Sequence, residues 1–222
     1  MLGYLHTAEA HVATFRALTG ELAPGVADLH AVDEDLLAYA RAHGLDETLR
    51  ERVRSRLAAL RAEGAEVIVC TCSTLSGLAE SLSAPVGVPV VRVDRPMARA
   101  AVAAGRRIAV VAALTATLAP TTALLAECAR EAGRTVELVE APCLDAWPLF
   151  LTGDAEGYAR AVARHVRRLA QEAPGTGGFD VFVLAQASMA PALAHLGDLP
   201  VPVLASPRQA VTAAAALLPA AG

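Results

Sequence analysis

The sequence predicts an α/β protein built from two similar halves, each a parallel sheet flanked by helices. Three observations predict it. More than half of the 222 residues are hydrophobic (55 %) but only 4 % are aromatic, so the apolar content is Ala, Val and Leu, as in helices packed on a buried parallel sheet. Short β-branched runs alternate with longer amphipathic stretches, the pattern of parallel strands joined by right-handed crossovers. Finally, one stretch of the chain repeats.

In chain order, candidate strands are Leu2–Leu5, Ala27–Ala31, Val67–Thr71, Val88–Val91, Arg107–Ala112, Thr135–Glu140, Val181–Ala185 and Val201–Leu204. Between them, stretches such as Glu47–Glu63 and Ala155–Gln171 carry arginines on one face and Leu, Val or Ala on the other, which predicts amphipathic helices. Asp46 and Asp154 stand at N-cap positions, and the acidic run Asp33, Glu34 and Asp35 is expected to cap and charge a further helix start. The Gly-rich segment Gly175–Gly178 reads as a loop leading into the strand near Asp180. The longest apolar run, Ile108–Ala126, is interrupted by threonines and a proline. It reads as strand, turn and helix, not as a membrane span.

The repeat aligns the segment starting at Glu66 with the one starting at Asp180. Each has an acidic residue, a strand, a turn with small hydroxylic residues and a short helix. Each then continues through Val-Pro-Val into an Arg-containing helix with a proline near its start, Pro96 in one copy and Pro207 in the other. This implies a duplicated, pseudo-twofold architecture, with residues 1–95 plus 206–222 as the first half and 96–205 as the second. A cleft between the halves is where a site is expected.

Several function classes are disfavoured. The formal net charge is −4 and the basic residues are interspersed with acidic ones, so neither a nucleic-acid surface nor a polybasic membrane anchor is expected. The first residues lack a basic region followed by a long apolar stretch, so no signal peptide is predicted. The cysteines Cys70, Cys72, Cys128 and Cys143 show no CxxC and no paired spacing with histidines, which argues against structural zinc. Free thiols in a reducing cytoplasm are the expectation. Ala-rich helices can pack closely, so a homo-oligomer is compatible with the sequence, although no stripe identifies an interface.

Ligands of open α/β sheets bind beyond the carboxyl ends of the strands. Cys72 lies there, just past the apolar run 67–70, with Ser73 and Thr74 at the start of the next helix. Hydroxyls and unpaired N–H groups at this position favour an anion, and the positive helix end is expected to lower the thiol pKa. Cys72 is therefore the candidate thiolate beside a carboxylate pocket. Cys70, although on the same face by parity, reads as a packed core thiol. Cys128 falls inside a helix and Cys143 near a loop. His6 and His30 lie near strand ends and could reach the cleft, but surface or capping histidines are the simpler reading. Arg95, Arg99 and Arg208 read as solvated helix faces before anion attractors, and Trp147, Phe150 and Tyr158 as a local packing cluster.

The run from Val67 to Thr74 resembles the first catalytic loop of the aspartate/glutamate racemase superfamily, typically Cys-Asn-Thr after a hydrophobic strand. Cys72 stands at its cysteine, Ser73 at its Asn and Thr74 at its Thr. Leu5-His6-Thr7 followed by His11 to Phe15, and the stretch from His30 to Leu37, also resemble members of this group. The threonine turn Leu114, Thr115, Ala116 and Thr117, then Pro120 and Thr121, is similar to the family's turn for a substrate carboxylate. The resemblance spans nearly the whole chain. It implies a pyridoxal-phosphate-free and metal-free enzyme of a small carboxylate, with no cofactor, in which two cysteines flank a carbon acid. On that pattern His6, Thr7, Ser73, Thr74, Thr115, Thr117, Ala187 and Ser188 would bind substrate.

The chain departs from the pattern in the second half. Where Gly-Cys-Thr or Gly-Cys-Ala is expected, it has Ala185, Gln186, Ala187, Ser188 and Met189, and Cys72 pairs with Gln186. Glutamine has no accessible ionisation, but it can donate a hydrogen bond to an oxyanion or orient a substrate. The sequence therefore leaves three readings: an isomerase or racemase using Cys72, a lyase or decarboxylase with Cys72 as lone proton donor, and a degenerate carboxylate-binding protein without activity.

Overall fold

The computed structural model describes residues 1–172 and 178–219. It divides into two compact units, Met1–Asp94 with Pro207–Gly222, and Arg95–Ser206. The segment 175–177 of the expected Gly-rich loop lies outside the described residues.

The first unit runs β1 (Leu2–His6), α1 (Ala10–Leu22), β2 (Asp28–Val32), α2 (Glu34–His43), α3 (Glu47–Ala62), β3 (Val67–Cys70), α4 (Ser73–Glu80), α5 (Ser83–Val86) and β4 (Val90–Arg92). The second runs α6 (Arg95–Ala104), β5 (Arg107–Ala112), α7 (Thr115–Glu131), β6 (Glu137–Pro142), a 3₁₀ turn at Leu144–Ala146, α8 (Trp147–Leu151), α9 (Ala155–Glu172), β7 (Val181–Leu184), a 3₁₀ stretch at Ala187–His195 and β8 (Val203–Ala205). The last helix, α10 (Ser206–Ala215), lies almost wholly in the first unit.

Each unit holds one four-stranded sheet, ordered β2-β1-β3-β4 and β6-β5-β7-β8, and every strand pairing is parallel. The two orders are equivalent, which is the topological counterpart of the repeat. All eight expected strands are present, with ends displaced by one or two residues where strand boundaries carry little propensity signal. In the second unit the helix expected after β7 is instead a 3₁₀ stretch, with Pro191 inside it. Proline removes an N–H donor that an α-helix would use there.

Helix starts follow the sequence in detail. Leu49 N–H donates to the Asp46 carboxylate at 2.9 Å, and Gly157 N–H to Asp154 at 2.9 Å. Asp33 occupies the N-cap of α2 but makes no side-chain cap bond. Its carboxylate is instead paired with Arg56 at 2.8 Å, while Glu34 and Asp35 supply the negative first turn.

In the first unit, Leu5, Ile68 and Cys70 form one core with Leu36 of α2 and Leu49, Val53 and Leu57 of α3, all fully buried. Alternate residues point to the other face, where Tyr4 meets Phe15 of α1 with ring centroids 5.3 Å apart. Arg92 at the end of β4 is 7 % exposed and pairs with Asp94, which is fully buried, through two N–H···O bonds of 2.9 and 3.0 Å. Gly77 of α4 leaves room there, since a Cβ would lie 3.0 Å from the Arg92 guanidinium, a tight contact.

Candidate active site

Cys72 sits at the N-cap position of α4, at the carboxyl end of β3, in extended conformation. Ser76 clamps this turn, its hydroxyl lying 2.8 Å from the Cys70 carbonyl and 2.9 Å from that of Cys72. The thiol is 8 % exposed. The Thr7 and Thr74 hydroxyls and the Thr74 and Leu75 backbone N–H groups lie near its sulfur and favour the thiolate, although the thiol makes no side-chain cap bond at the helix start. Burial outweighs them and leaves the thiol pKa above its ordinary value. The expectation of a lowered pKa is thus corrected: the helix start supplies its donors, yet removal of the sulfur from water costs the charged form more. At neutral pH Cys72 carries its proton.

Three of the residues expected around Cys72 do gather in this turn. Thr7, Ser73 and Thr74 are each 9 % exposed or less. Cys70 is fully buried in β3 and its thiol is pushed up to about 12 by burial, as suits a core thiol. Cys128 lies in α7 and Cys143 follows β6, both 2 % exposed or less.

His6 requires a larger correction. It is fully buried, and both ring nitrogens are engaged within the protein. Nδ1 lies 2.9 Å from Thr71 Oγ1, and Nε2 lies 2.9 Å from His30 Nδ1. His30 Nε2 in turn lies 2.8 Å from the Asp28 carboxylate. Neither histidine is a surface or capping residue, and His6 has no ring nitrogen left for a substrate. Burial, then the neighbouring His30 and His11, push the His6 pKa down to about 3.

In the second unit, Gln186 occupies the position equivalent to Cys72, at the end of β7. Its side-chain oxygen accepts hydrogen bonds from the backbone N–H groups of Ala113 (2.7 Å) and Leu114 (3.0 Å). The side-chain carbonyl is therefore committed to the β5–α7 turn. Thr115 is exposed at the start of α7, whereas Thr117 is 2 % exposed and donates its backbone N–H to the Leu114 carbonyl. Ser188 shares a 2.9 Å hydrogen bond with Tyr158. Ala187 is 6 % exposed. Trp147 stacks on Phe150, and Phe150 packs against Tyr158, a local aromatic cluster as read from the sequence.

The arginines considered as anion attractors are paired. Arg95 bonds Glu127 at 2.8 Å, Arg99 bonds Glu131 at 3.2 Å and Arg208 bonds Glu21 at 2.9 Å. Among the described residues no group of three or more His, Cys, Asp or Glu side chains is arranged to hold a metal ion. No described helix is long and apolar enough to cross a membrane.

Asp28 and Thr71 are the members of this network that the residue types alone did not flag. Their signal is the period-two spacing of Asp28 and His30 beside His6, which becomes informative only once β2 and β1 are known to be neighbours.

The sequence matches the family model described as Asp/Glu/Hydantoin racemase over residues 16–214. The chain belongs to this family. Family membership supports an enzyme of the racemase or isomerase type. No curated protein sequence matches the chain.

The fold is shared with solved members. Glutamate racemase from Thermus thermophilus, in complex with β-chloro-D-alanine, superposes with a TM-score of 0.71 at 24 % identity, covering 100 % of this chain and 83 % of that one. Aspartate racemase from Picrophilus torridus gives 0.70 at 12 % identity, covering 97 % and 94 %. Allantoin racemase from Klebsiella pneumoniae gives 0.65 at 21 % identity, covering 97 % and 86 %.

Proposed function

We propose that the chain is a pyridoxal-phosphate-independent isomerase of the racemase type, which moves a proton at the carbon next to the carboxylate of a small substrate with Cys72 as acid and base. The observation that carries this reading is the environment of the Cys72 sulfur. It is a buried thiol that keeps its proton at neutral pH, with the polar groups of Thr7, Thr74 and Leu75 close enough to favour its charged form. Such a thiol can hand its proton to a carbanion. The thiolate left behind is then stabilised by these neighbouring donors. In the reverse direction the same donors lower the cost of forming the thiolate that abstracts the proton. The α-hydrogen beside a carboxylate is very weakly acidic, so the developing enediolate also needs donors, a role assigned here to the hydroxyls of Ser73 and Thr74.

Gln186 favours a second reading. With its carbonyl bound to the Ala113 and Leu114 amides and no ionisable proton, it cannot replace a second thiol. A lyase or decarboxylase needs only one proton donor, and Cys72 alone would serve.

The deciding experiment is incubation in deuterium oxide with small carboxylates (amino acids, hydantoins, malonates, maleate), wild type beside Cys72→Ala. Cys72-dependent α-deuteration with loss of optical purity is the expected result. Cys72-dependent release of carbon dioxide would instead establish the lyase. Turnover that survives Cys72→Ala would refute both.

A further inference from the structure

Gln186 stands at the position equivalent to Cys72, and its amide is held in one orientation. The two backbone N–H groups that reach it, from Ala113 and Leu114, meet the same side-chain atom. An N–H donor needs an acceptor, so that atom is the carbonyl oxygen and Nε2 is the other end. The two bonds also occupy both lone pairs of the oxygen. What the side chain has left to offer is the pair of hydrogens on Nε2, and nothing that accepts. Among the described residues Nε2 makes no hydrogen bond. The residue is only 9 % exposed, yet Nε2 is not one of the unpartnered polar atoms sealed from solvent. A donor pair this deeply set, without a protein acceptor and open on one side, fits an oxygen brought by a ligand.

The surroundings offer donors of the same kind. The turn that Gln186 grips is the start of α7, a helix of 17 residues whose N-cap, Leu114, makes no side-chain cap bond. The N–H groups of Thr115 and Ala116 therefore have no intrahelical partner, whereas that of Thr117 turns back to the Leu114 carbonyl at 3.0 Å. Gln186 satisfies the Ala113 and Leu114 amides, and Nε2, on the same carbon as the oxygen that does so, lies beside this turn. The helix start carries partial positive charge, and Thr115, exposed at the first helical position, adds a hydroxyl. Neither the segment 112–120 nor the segment 185–195 contains Asp or Glu.

We propose that Gln186 Nε2, the Thr115 and Ala116 N–H groups and the Thr115 hydroxyl form a subsite in the second unit for a carboxylate of the substrate. Gln186 is then a specificity-determining residue, not an acid or base. This rests on the reading of the chain as an enzyme of a small carboxylate, and it narrows the substrate class. An oxygen that accepts must meet Gln186, and an ammonium group is refused there because the amide has no free lone pair to receive it. At this position the chain contributes binding where a thiol would contribute proton transfer.

Amide NMR tests the subsite with malonate as the probe and ethylammonium as the control. The Gln186 Nε2 signals are identified by their loss in Gln186→Glu. As malonate is added, these signals and the Thr115 and Ala116 backbone amides should shift along one saturation curve, and ethylammonium should leave them still. In Gln186→Glu one carboxylate oxygen keeps the Ala113 and Leu114 amides while the other replaces Nε2 and repels the anion. Malonate binding should therefore weaken by about tenfold or more, with native circular dichroism. Gln186 signals that stay still up to about 50 mM malonate, well beyond a Kd of about 1 mM, overturn the subsite. Equal malonate affinity in Gln186→Glu, or an equal response to ethylammonium, also overturns it.

Kinetics supply the second readout. For a carboxylate that undergoes Cys72-dependent exchange, Gln186→Glu should raise KM by about tenfold or more and change kcat by less than about threefold. An unchanged KM with kcat lost would make Gln186 part of the chemistry and overturn the binding role. Exchange that survives Cys72→Ala refutes the reading of Cys72 alone, because malonate binding at Gln186 does not involve the thiol.

Discussion

Gln186→Ala isolates what the residue at the second catalytic position does in this fold. The side-chain oxygen receives two backbone N–H groups, from Ala113 at 2.7 Å and Leu114 at 3.0 Å. Ala113 and Leu114 are 1 % and 8 % exposed, and Gln186 is 9 % exposed. Alanine removes the acceptor and leaves two buried donors. An orphaned buried donor costs about 1–3 kcal/mol, and the residual exposure places this pair toward the lower end. The expected loss is therefore about 2–4 kcal/mol in the second unit. For a chain of this size that lowers Tm by about 4–16 °C.

The assay is urea unfolding followed by fluorescence of Trp147, the single tryptophan of the chain and a member of the second unit. Gln186→Glu retains an oxygen for both amides and should lose less than about 1 kcal/mol at pH 7. Gln186→Cys restores a thiol but is too short to reach either amide, so its stability should fall with that of the alanine variant. Gln186→Ala within about 0.5 kcal/mol of wild type, or Glu as damaging as Ala, would show that the oxygen is not what orders the β5–α7 turn.

Three further outcomes follow from the first unit. His6 and His11 have native pKa values near 3 and 4 against 6.5 when unperturbed, so between pH 6.5 and about 4 the unfolded chain binds protons that the native one does not. Their contribution is complete above pH 6.5 and is lost as pH falls, by roughly 3–5 kcal/mol in total at pH 4.5; amide exchange in β1 and β3 that does not accelerate over this range would contradict the assignment. Thr7→Val removes a hydroxyl that favours the Cys72 thiolate, so the thiol pKa should rise further. Iodoacetamide labelling of Cys72 at pH 8, read by mass spectrometry, should slow by about three- to tenfold, and unchanged labelling would count against the Thr7 contact. Asp94→Ala leaves the Arg92 guanidinium buried without its carboxylate and should cost about 3–5 kcal/mol in urea unfolding, with a loss below 1 kcal/mol speaking against a buried pair.

What the sequence determined by itself was local and periodic. The strand at Arg107–Ala112, the caps at Asp46 and Asp154, and the paired order of strand, turn and helix around Cys72 and Gln186 all rest on residue types a few positions apart. Chain-local propensity and hydrophobic period express themselves at that range. The same is true of Cys72 at the start of a helix.

What only the tertiary structure decided involves distance along the chain. The Cys72 pKa was read from the helix start alone, whereas the fold buries the sulfur and reverses the direction of the shift. His6 and His30 are ordinary strand-end histidines until the order β2-β1-β3 puts Asp28, His30, His6 and Thr71 side by side. Gln186 has a free amide in the sequence, but β5 lies against β7 and brings the Ala113 and Leu114 amides to its oxygen. Desolvation and the identity of hydrogen-bond partners depend on which strands are neighbours, and no local pattern encodes that.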